Sequence, residues 1–230
     1  SFEIPEVTTQ EIANCTLKLL EICRDLNAPP KIYLACSSEI FGDCTTELQN
    51  ESSSLNPTSP YGVAKAFCMH TGRIYRESYD LFVCNGILYN HESPRRGENF
   101  VTQKIVRGAY YIARGKAIDL ELGNIEIERD WGYAPDYVLG MWMMLQQKSS
   151  SDFILATGKT YKLSEFLDIA FKYFGLDYRK YVHLNQKFIR PKEPLKLCGD
   201  SSKAKKVLKW QPSISFANLV HLMCEATKKN

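Results

Sequence analysis

The chain has 230 residues, 44% of them hydrophobic and 24% charged, which is typical of a globular protein with one large domain or one domain and a smaller lobe. Its net charge of +3 is small, its lysines and arginines are scattered, and no apolar run approaches the roughly 18 residues of a membrane-spanning helix. These features exclude nucleic acid and the membrane as expected partners.

The eight cysteines form no C-x-x-C pair and the four histidines are dispersed, so no metal site is expected. Cysteines within apolar runs, such as Cys84 and Cys224, are expected to be buried, reduced thiols. The opening residues 1–4 show no signal-peptide pattern. We therefore expect a reducing, cytoplasmic compartment.

The first elements in the chain are a helix and a strand. Spaced apolar residues predict a helix over 8–25, and residues 31–35 predict a short strand. The strand leads directly into Ser37, Ser38 and Glu39. An open parallel sheet places its chemistry at the carboxyl ends of its strands, so these three side chains are candidates for the site.

The next helix, predicted over about 60–79, carries a Tyr-x-x-x-Lys pair. Ser59 suits the N-cap position and Pro60 suits the first helical position, where the missing N–H would be unpaired anyway. Tyr61 and Lys65 are four residues apart, so they lie on one face of the helix. Because a nearby ammonium favours phenolate over phenol, the pair is a candidate for proton abstraction, with Lys65 and a bound pyridinium cofactor together lowering the pKa of Tyr61.

The rest of the chain continues the alternation of strands and helices. Strand patterns lie at 81–88, 118–122 and 153–158, helical patterns at 99–113, 135–147, 163–174, 201–208 and 216–226, and loops or short connections at 45–59, 90–97 and 129–132. This order predicts an α/β fold, part of a doubly wound parallel sheet with a smaller mixed α/β C-terminal lobe. Residues 1–158 are assigned mainly to the sheet domain and 159–230 mainly to the lobe.

A phosphate-binding turn is missing from this pattern. A doubly wound domain that uses a Tyr/Lys pair with a dinucleotide needs a glycine-rich turn, and no G-x-G-x-x-G occurs in the chain. We therefore expect the 230 residues to be the C-terminal part of a longer chain. Because the sheet would then lack its first strands, the segment expressed alone is expected to be insoluble or molten.

Four blocks of sequence carry a family resemblance. They are Ala35-Cys36-Ser37-Ser38-Glu39, Ser59-Pro60-Tyr61-Gly62-Val63-Ala64-Lys65, Asn85-Gly86-Ile87-Leu88-Tyr89-Asn90-His91-Glu92-Ser93-Pro94-Arg95-Arg96-Gly97 and Arg129-Asp130-Trp131-Gly132. Together they resemble GDP-mannose 4,6-dehydratases, a family of extended short-chain dehydrogenases with a Rossmann domain. The resemblance covers essentially the whole chain, and the stretch 90–97 is its most specific part.

The resemblance implies conversion of GDP-mannose to GDP-4-keto-6-deoxymannose with bound NADP, a step in nucleotide-sugar metabolism towards GDP-fucose. Tyr61, assisted by Lys65, would remove the proton of the sugar 4-hydroxyl while hydride leaves C4. Glu39 would take the C5 proton, water would leave from C6, and the hydride would return there. Ser37 would hydrogen-bond the sugar 4-oxygen. It stands where the family usually has threonine, so the hydroxyl is kept and a methyl group is lost.

The resemblance also implies binding positions. Those for the cofactor are Tyr61, Lys65, His91, Arg95 and Arg96, and those for the GDP-sugar are Ser38, Asn90, Val101, Lys104, Arg129, Arg190 and Glu193. Guanidinium groups suit diphosphate oxygens, and a carboxylate suits ribose hydroxyls or guanine amines. A homo-oligomer, dimer or tetramer, is expected through the Arg95–Arg96 loop.

Two other functions stay open at this level. Another sugar-nucleotide short-chain dehydrogenase, an epimerase or a 4-keto reductase, would have no need of a C5 base such as Glu39. A non-catalytic or truncated relative that serves as an assembly component is favoured by the missing glycine-rich turn. The retention of Ser37, Glu39, Tyr61 and Lys65 weighs against it.

Overall fold

In the computed structural model, which describes residues 1–44, 47–189, 192–194 and 196–229, strands and helices alternate along the chain. The strands are β1 (Ile32–Ser37), β2 (Val83–Leu88), β3 (Asn90–Glu92), β4 (Leu120–Leu122), β5 (Glu128–Arg129), β6 (Trp131–Tyr133), β7 (Asp152–Leu155), β8 (Tyr161–Lys162), β9 (Val182–Leu184) and β10 (Lys196–Leu197). The helices are α1 (Pro5–Thr9), α2 (Cys15–Arg24), α3 (Pro60–Ser78), α4 (Val101–Ala113), α5 (Ala134–Leu145), α6 (Leu163–Tyr173), α7 (Ser202–Leu208) and α8 (Phe216–Lys229).

A parallel sheet with the strand order β1-β2-β7 lies at the centre of the fold. Its middle strand, β2, is buried along its whole length, as expected for a parallel strand with both faces covered. Helix α3 packs against β1 and β2, and α5 and α7 also pack against the sheet. The predicted α/β fold with a parallel sheet is confirmed.

A second hydrophobic core lies outside this sheet and joins α4, α6 and α8. Its centre is aromatic and aliphatic, with Phe166, Phe171 and Val220 fully buried. Trp131 of β6 reaches into this core, where its ring stacks on that of Phe216 at 5.7 Å between centroids. Residues on both sides of position 158 therefore contribute to one core.

Most predicted elements are found within a few residues of their expected ends, with three exceptions. The predicted helix over 8–25 begins at Pro5 and contains a π-helical turn at Gln10–Asn14 between α1 and α2. The stretch 90–97, predicted as loop, begins with β3, which pairs in parallel with β6 in the register Asn90 to Trp131. The connection predicted at 129–132 contains the end of β5 and the start of β6, and the short strands β8, β9 and β10 were missed.

The cysteines are all free thiols. Cys84 and Cys224 are fully buried, as predicted, and burial raises the pKa of Cys224 to about 12. A protonated buried thiol is a small hydrophobic side chain rather than a nucleophile. Within the described part of the chain, no helix is both long enough and apolar enough to span a membrane.

Candidate active site

One side of the candidate site is built where β1 ends. Ser37 is the last residue of the strand, and its Oγ accepts a hydrogen bond from the Glu39 N–H at 3.3 Å. This cap starts a single 3₁₀ turn at Ser38–Ile40. The turn sets Ser37 and Glu39 at the carboxyl edge of the sheet, as the sequence predicts.

Helix α3 brings Tyr61 to the same edge. The Ser59 Oγ accepts a hydrogen bond from the Gly62 N–H at 3.0 Å, and Pro60 is the first helical residue, so the predicted N-cap is confirmed. Gly62 is needed for the close approach, because an added Cβ would lie 2.7 Å from the Glu39 carbonyl oxygen. As a result, the Tyr61 hydroxyl lies close enough to the Ser37 side chain for Ser37 to lower its pKa.

The pKa of Tyr61 is set mainly by burial. Burial, the largest effect, raises the pKa of Tyr61. The Ser37 hydroxyl and Arg96 lower it, and Glu39 raises it. The predicted effect of Lys65 on this pKa assumes a bound pyridinium cofactor and stays a prediction. The Lys65 Nζ donates to the Ala35 carbonyl at 2.8 Å and lies 5.7 Å from the centroid of the Tyr61 ring. Desolvation of the phenol outweighs the nearby cations. We call Ser37, Ser38, Glu39, Tyr61 and Lys65 the strand-end wall.

The opposite side of the site begins with β3, which carries Asn90 and His91. The His91 Nδ1 lies 2.8 Å from the Tyr89 carbonyl oxygen, and the imidazole stacks on the Tyr137 ring at 4.8 Å. A carbonyl oxygen only accepts hydrogen bonds, so this contact assigns the proton to Nδ1. Burial lowers the pKa of His91, which keeps the ring neutral.

The two arginines after β3, Arg95 and Arg96, lie in different surroundings. Arg95 is exposed, and its backbone N–H donates to the Ser93 Oγ at 3.1 Å. Arg96 is partly buried, with its Nε 3.1 Å from the Glu92 Oε2 and its guanidinium carbon 3.6 Å from the centroid of the Phe100 ring. Only the second arginine is held against the protein.

Two further basic side chains come from other segments. Arg129 is almost completely buried, with a side chain 5% exposed, and its Nη2 lies 3.2 Å from the Glu193 Oε1. Lys104 donates to the Glu121 carbonyl at 2.7 Å and lies 4.1 Å from the centroid of the Phe188 ring. We call Asn90, His91, Arg96, Lys104, Arg129 and Glu193 the loop wall.

The two walls line one cavity of about 1260 Å³. The predicted site residues that line it are Ser37, Ser38, Glu39, Tyr61, Lys65, Asn90, His91, Arg96, Val101, Lys104, Arg129 and Glu193. Arg95 does not line it, and Arg190 lies outside the described residues. A single cavity therefore joins residues predicted from separate motifs.

Sequence reasoning missed several residues of this cavity, among them Glu92, Phe100 and Phe188. Glu92 and Phe100 each stand four residues from Arg96, but that spacing carries meaning only in a helix, and the segment is not helical. Gly123 offered a clearer signal, because an added Cβ would lie 2.5 Å from the Phe188 carbonyl oxygen. In the sequence, Gly123 directly follows the predicted strand 118–122, a position where glycine permits such a close approach of two backbones.

Comparison with known proteins identifies the family. A family model described as GDP-mannose 4,6 dehydratase matches residues 1–223. The chain belongs to the GDP-mannose 4,6-dehydratase family. It is 47% identical to GDP-mannose 4,6 dehydratase 2 of Arabidopsis thaliana, over 98% of this chain and 61% of that protein. It is 41% identical to GDP-mannose 4,6 dehydratase of Drosophila melanogaster, over 98% of this chain and 62% of that protein.

The chain thus spans less than two thirds of the length of these GDP-mannose 4,6-dehydratase relatives. Solved structures agree with the fold. RMD from Pseudomonas aeruginosa complexed with NADPH has a TM-score of 0.87 at 18% identity, over 99% of this chain and 76% of that one. DesIV, a dTDP-glucose 4,6-dehydratase from Streptomyces venezuelae, has a TM-score of 0.85 at 21% identity, over 100% of this chain and 69% of that one.

This member of the GDP-mannose 4,6-dehydratase family holds two kinds of chemistry in its cavity. The strand-end wall supplies groups that transfer protons: a phenol, a carboxylate and a hydroxyl. The loop wall supplies guanidinium groups, which match the oxygens of phosphates. The cavity therefore combines proton-transfer groups with anion-binding groups.

Proposed function

We propose that the protein is a GDP-mannose 4,6-dehydratase that converts GDP-mannose to GDP-4-keto-6-deoxymannose with loss of one water. One observation carries the proposal: Ser37, Glu39, Tyr61 and Lys65 line a single cavity in a chain that belongs to this family. Relatives with this name at 41% and 47% identity support the choice of substrate. Glu39 favours a dehydratase over an epimerase or reductase, which needs no base at C5.

Each residue of the strand-end wall has a role in this reaction. Tyr61 removes the proton of the sugar 4-hydroxyl, and Ser37, which lies close enough to lower the pKa of Tyr61, holds the same oxygen. Glu39 lines the same cavity and takes the C5 proton, which is acidic beside the new ketone. Lys65 orients the site through its hydrogen bond to the Ala35 carbonyl and binds the ribose of the cofactor.

The cavity fits a dinucleotide bound together with a sugar nucleotide. Its volume of about 1260 Å³ exceeds the roughly 300–1,000 Å³ usual for one small ligand. Lys65, His91 and Arg96 line it as cofactor positions, with Arg95 at the exposed side of the loop. When bound, NADP supplies a hydride acceptor for C4 that returns the hydride at C6, and a cationic ring that favours the Tyr61 phenolate.

The remaining residues of the loop wall bind the GDP-sugar in this proposal. Arg129 binds the diphosphate, Glu193 binds ribose hydroxyls or guanine amines, and Asn90 and Lys104 complete the pocket. Outside this wall, Ser38, Val101 and Arg190 are the further proposed GDP-sugar positions, with Arg190 as a second cation for the diphosphate. The exposed side of the Arg95 loop binds a second copy of the chain, which gives a homo-oligomer. The free cysteines suit a cytoplasmic enzyme. Residues 1–158 form mainly the cofactor domain, and 159–230 mainly the substrate lobe.

The test uses the protein expressed from its complete gene. Incubation with GDP-mannose and a catalytic amount of NADP is expected to give a sugar nucleotide that mass spectrometry shows to have lost one water. Tyr61→Phe and Glu39→Gln remove proton-transfer groups, so each is expected to lower kcat by about 10²- to 10⁴-fold.

Matched controls make the same chemical changes elsewhere on α3 or its end. Tyr79→Phe and Glu77→Gln alter exposed side chains far from the cavity and are expected to keep full turnover. A protein that binds NADPH but leaves GDP-mannose unchanged would overturn the proposed substrate. A protein that binds neither would favour the non-catalytic alternative.

A further inference from the structure

A buried carboxylate in the cavity lining, that of Glu92, has no role in the proposed proton transfers. Glu92 ends β3 with its side chain 2% exposed, and burial raises its pKa, while Arg96 and Thr102 oppose that effect. Its Oε2 accepts a hydrogen bond from the Thr102 Oγ1 at 2.7 Å. Thr102 belongs to the first turn of α4, so the orientation of this carboxylate is fixed by a rigid element.

The same carboxylate oxygen holds Arg96. The Glu92 Oε2 lies 3.1 Å from the Arg96 Nε, and the Phe100 ring lies 3.6 Å from the guanidinium carbon. The Nε–H has no hydrogen-bond acceptor among the described residues, so the contact with Glu92 is a pairing of charges rather than a hydrogen bond. Glu92 at the end of β3 and Phe100 just before α4 thus confine a side chain that would otherwise sample many rotamers.

The confined guanidinium lines the cavity together with Tyr61, and its charge lowers the pKa of Tyr61. The charged and titratable groups that act on Tyr61 come from three places. Cys36 and Glu39 come from β1 and the turn after it, Lys65 lies over the ring from α3, and Arg96 comes from the loop after β3. The position of the Arg96 guanidinium therefore depends on Glu92, a residue with no role in the proposed proton transfers.

We propose that Glu92 is a positioning residue: it fixes the Arg96 guanidinium in the cavity beside Tyr61, where Arg96 binds an anionic phosphate group of the dinucleotide. This inference rests on the proposed function. Because the pairing with Glu92 uses the Nε side of the guanidinium, the terminal nitrogens are not committed to it and can form the fork that matches phosphate oxygens. Arg95 has no such partner among the described residues and is exposed. Without Glu92, we expect the Arg96 side chain to be exposed and unconfined in the same way.

A double-mutant cycle tests whether Glu92 acts through Arg96. NADPH affinity is measured by fluorescence titration for the protein from its complete gene and for Glu92→Gln, Arg96→Gln and the double variant. Each single change is expected to weaken binding by about tenfold, the scale of one charge-assisted contact. The double variant is expected to bind no more weakly than Arg96→Gln alone, because Glu92 has nothing left to position.

Several results would overturn the inference. One is unchanged NADPH affinity in Glu92→Gln, and another is a double variant whose loss equals the product of the two single losses. Glu77→Gln, an exposed carboxylate change on α3, is the matched control and is expected to leave affinity unchanged. Thr102→Val removes only the hydrogen bond that orients Glu92, so it is expected to weaken binding by less than Glu92→Gln.

The pH dependence of kcat separates positioning from a merely structural role. In a plot of kcat against pH, the rising limb reports the deprotonation of Tyr61. In Glu92→Gln the Arg96 guanidinium is no longer ordered, so this limb is expected to move to higher pH. In Glu92→Asp it is expected to stay closer to that of the unchanged protein. A shift to lower pH would mean that Glu92 only screens the charge of Arg96, against the proposal. If the unchanged protein binds NADPH but does not dehydrate GDP-mannose, the proposed function fails, and the binding cycle still decides this inference.

Discussion

The two walls of the cavity are held in place by different kinds of contact. In the strand-end wall, Ser37 caps the turn that carries Glu39, and Ser59 caps the helix that carries Tyr61, each within three residues. The loop wall instead joins distant segments, through the pairing of Asn90 with Trp131 and of Arg129 with Glu193. A local cap contributes about 1 kcal/mol, whereas a hydrogen bond to a charged group, such as those that join the distant segments, contributes roughly 1.5–3 kcal/mol. The loop wall should therefore be the more sensitive of the two to substitution.

The largest effect is expected for Asp130, which anchors the loop wall. It is fully buried, and its carboxylate accepts hydrogen bonds from the Thr157 N–H at 2.8 Å, the Thr157 hydroxyl at 2.7 Å and the Gly158 N–H at 2.8 Å. Asp130→Ala removes three hydrogen bonds to a buried carboxylate, at a cost of about 4 kcal/mol. Calorimetry of the purified protein is expected to show a melting temperature lower by about 10 °C.

A conservative change at the same position provides the control. Asp130→Asn keeps one acceptor oxygen but presents an N–H₂ to the remaining donors, so its loss of stability is expected to be about half that of Asp130→Ala. Equal melting temperatures for Asp130→Ala and the unchanged protein would contradict the idea that the loop wall depends on these long-range contacts.

The strand-end wall was predictable because its determinants are local. A strand that runs into Ser37-Ser38-Glu39, and an N-cap followed by proline before Tyr61, are patterns that act within a few residues. Both were found in the structure as the sequence predicts. The direction of the Tyr61 pKa was not predictable in this way, because it depends on how much solvent the folded protein removes from the phenol.

The loop wall was predicted only as a set of residues and not as an architecture. The strands β3 and β6 have three residues each, too few for the alternation that signals a strand. The pairing of Arg129 with Glu193 crosses 64 residues of sequence, and no periodicity reports a contact at that distance. The residues of the loop wall were predicted from the family resemblance, which identifies the positions but does not explain the contacts that bring them together.

A smaller effect, dependent on pH, is expected for the contact that ties α3 to the sheet. Asp152 lies 2.5 Å from the Arg73 Nε and 3.0 Å from the Arg76 Nη1. Burial raises the pKa of Asp152, but the two arginines outweigh it and hold the pKa below its ordinary value. Because the pKa of Asp152 is lower in the folded state than in the unfolded state, where it is near 3.9, the ionised carboxylate stabilises the folded protein at pH values above about 3.9. This stabilisation is lost as the pH falls through the folded-state pKa.

Asp152→Asn is therefore expected to cost about 2 kcal/mol at pH 7. The difference from the unchanged protein should shrink as the pH falls below about 4. Urea unfolding at several pH values measures it, and an equal difference at neutral and acid pH would refute the charge-based account. Asp177→Asn is the matched control, because Asp177 also pairs with an arginine, Arg179, but on the exposed surface, where ion pairs contribute little.

The smallest effect is expected for the cap of the strand-end wall. Ser59→Ala removes the hydrogen bond from Gly62 to the Ser59 Oγ, which should cost about 1 kcal/mol and lower the melting temperature by about 3 °C. Ser59→Asn supplies another capping side chain and is expected to restore most of that stability. Helix α3 keeps its packing against β1 and β2, so Tyr61 should stay in the cavity in both variants and kcat should change less than the stability does. A loss in Ser59→Ala as large as that in Asp130→Ala would mean that the strand-end wall, too, depends on contacts beyond its own segment.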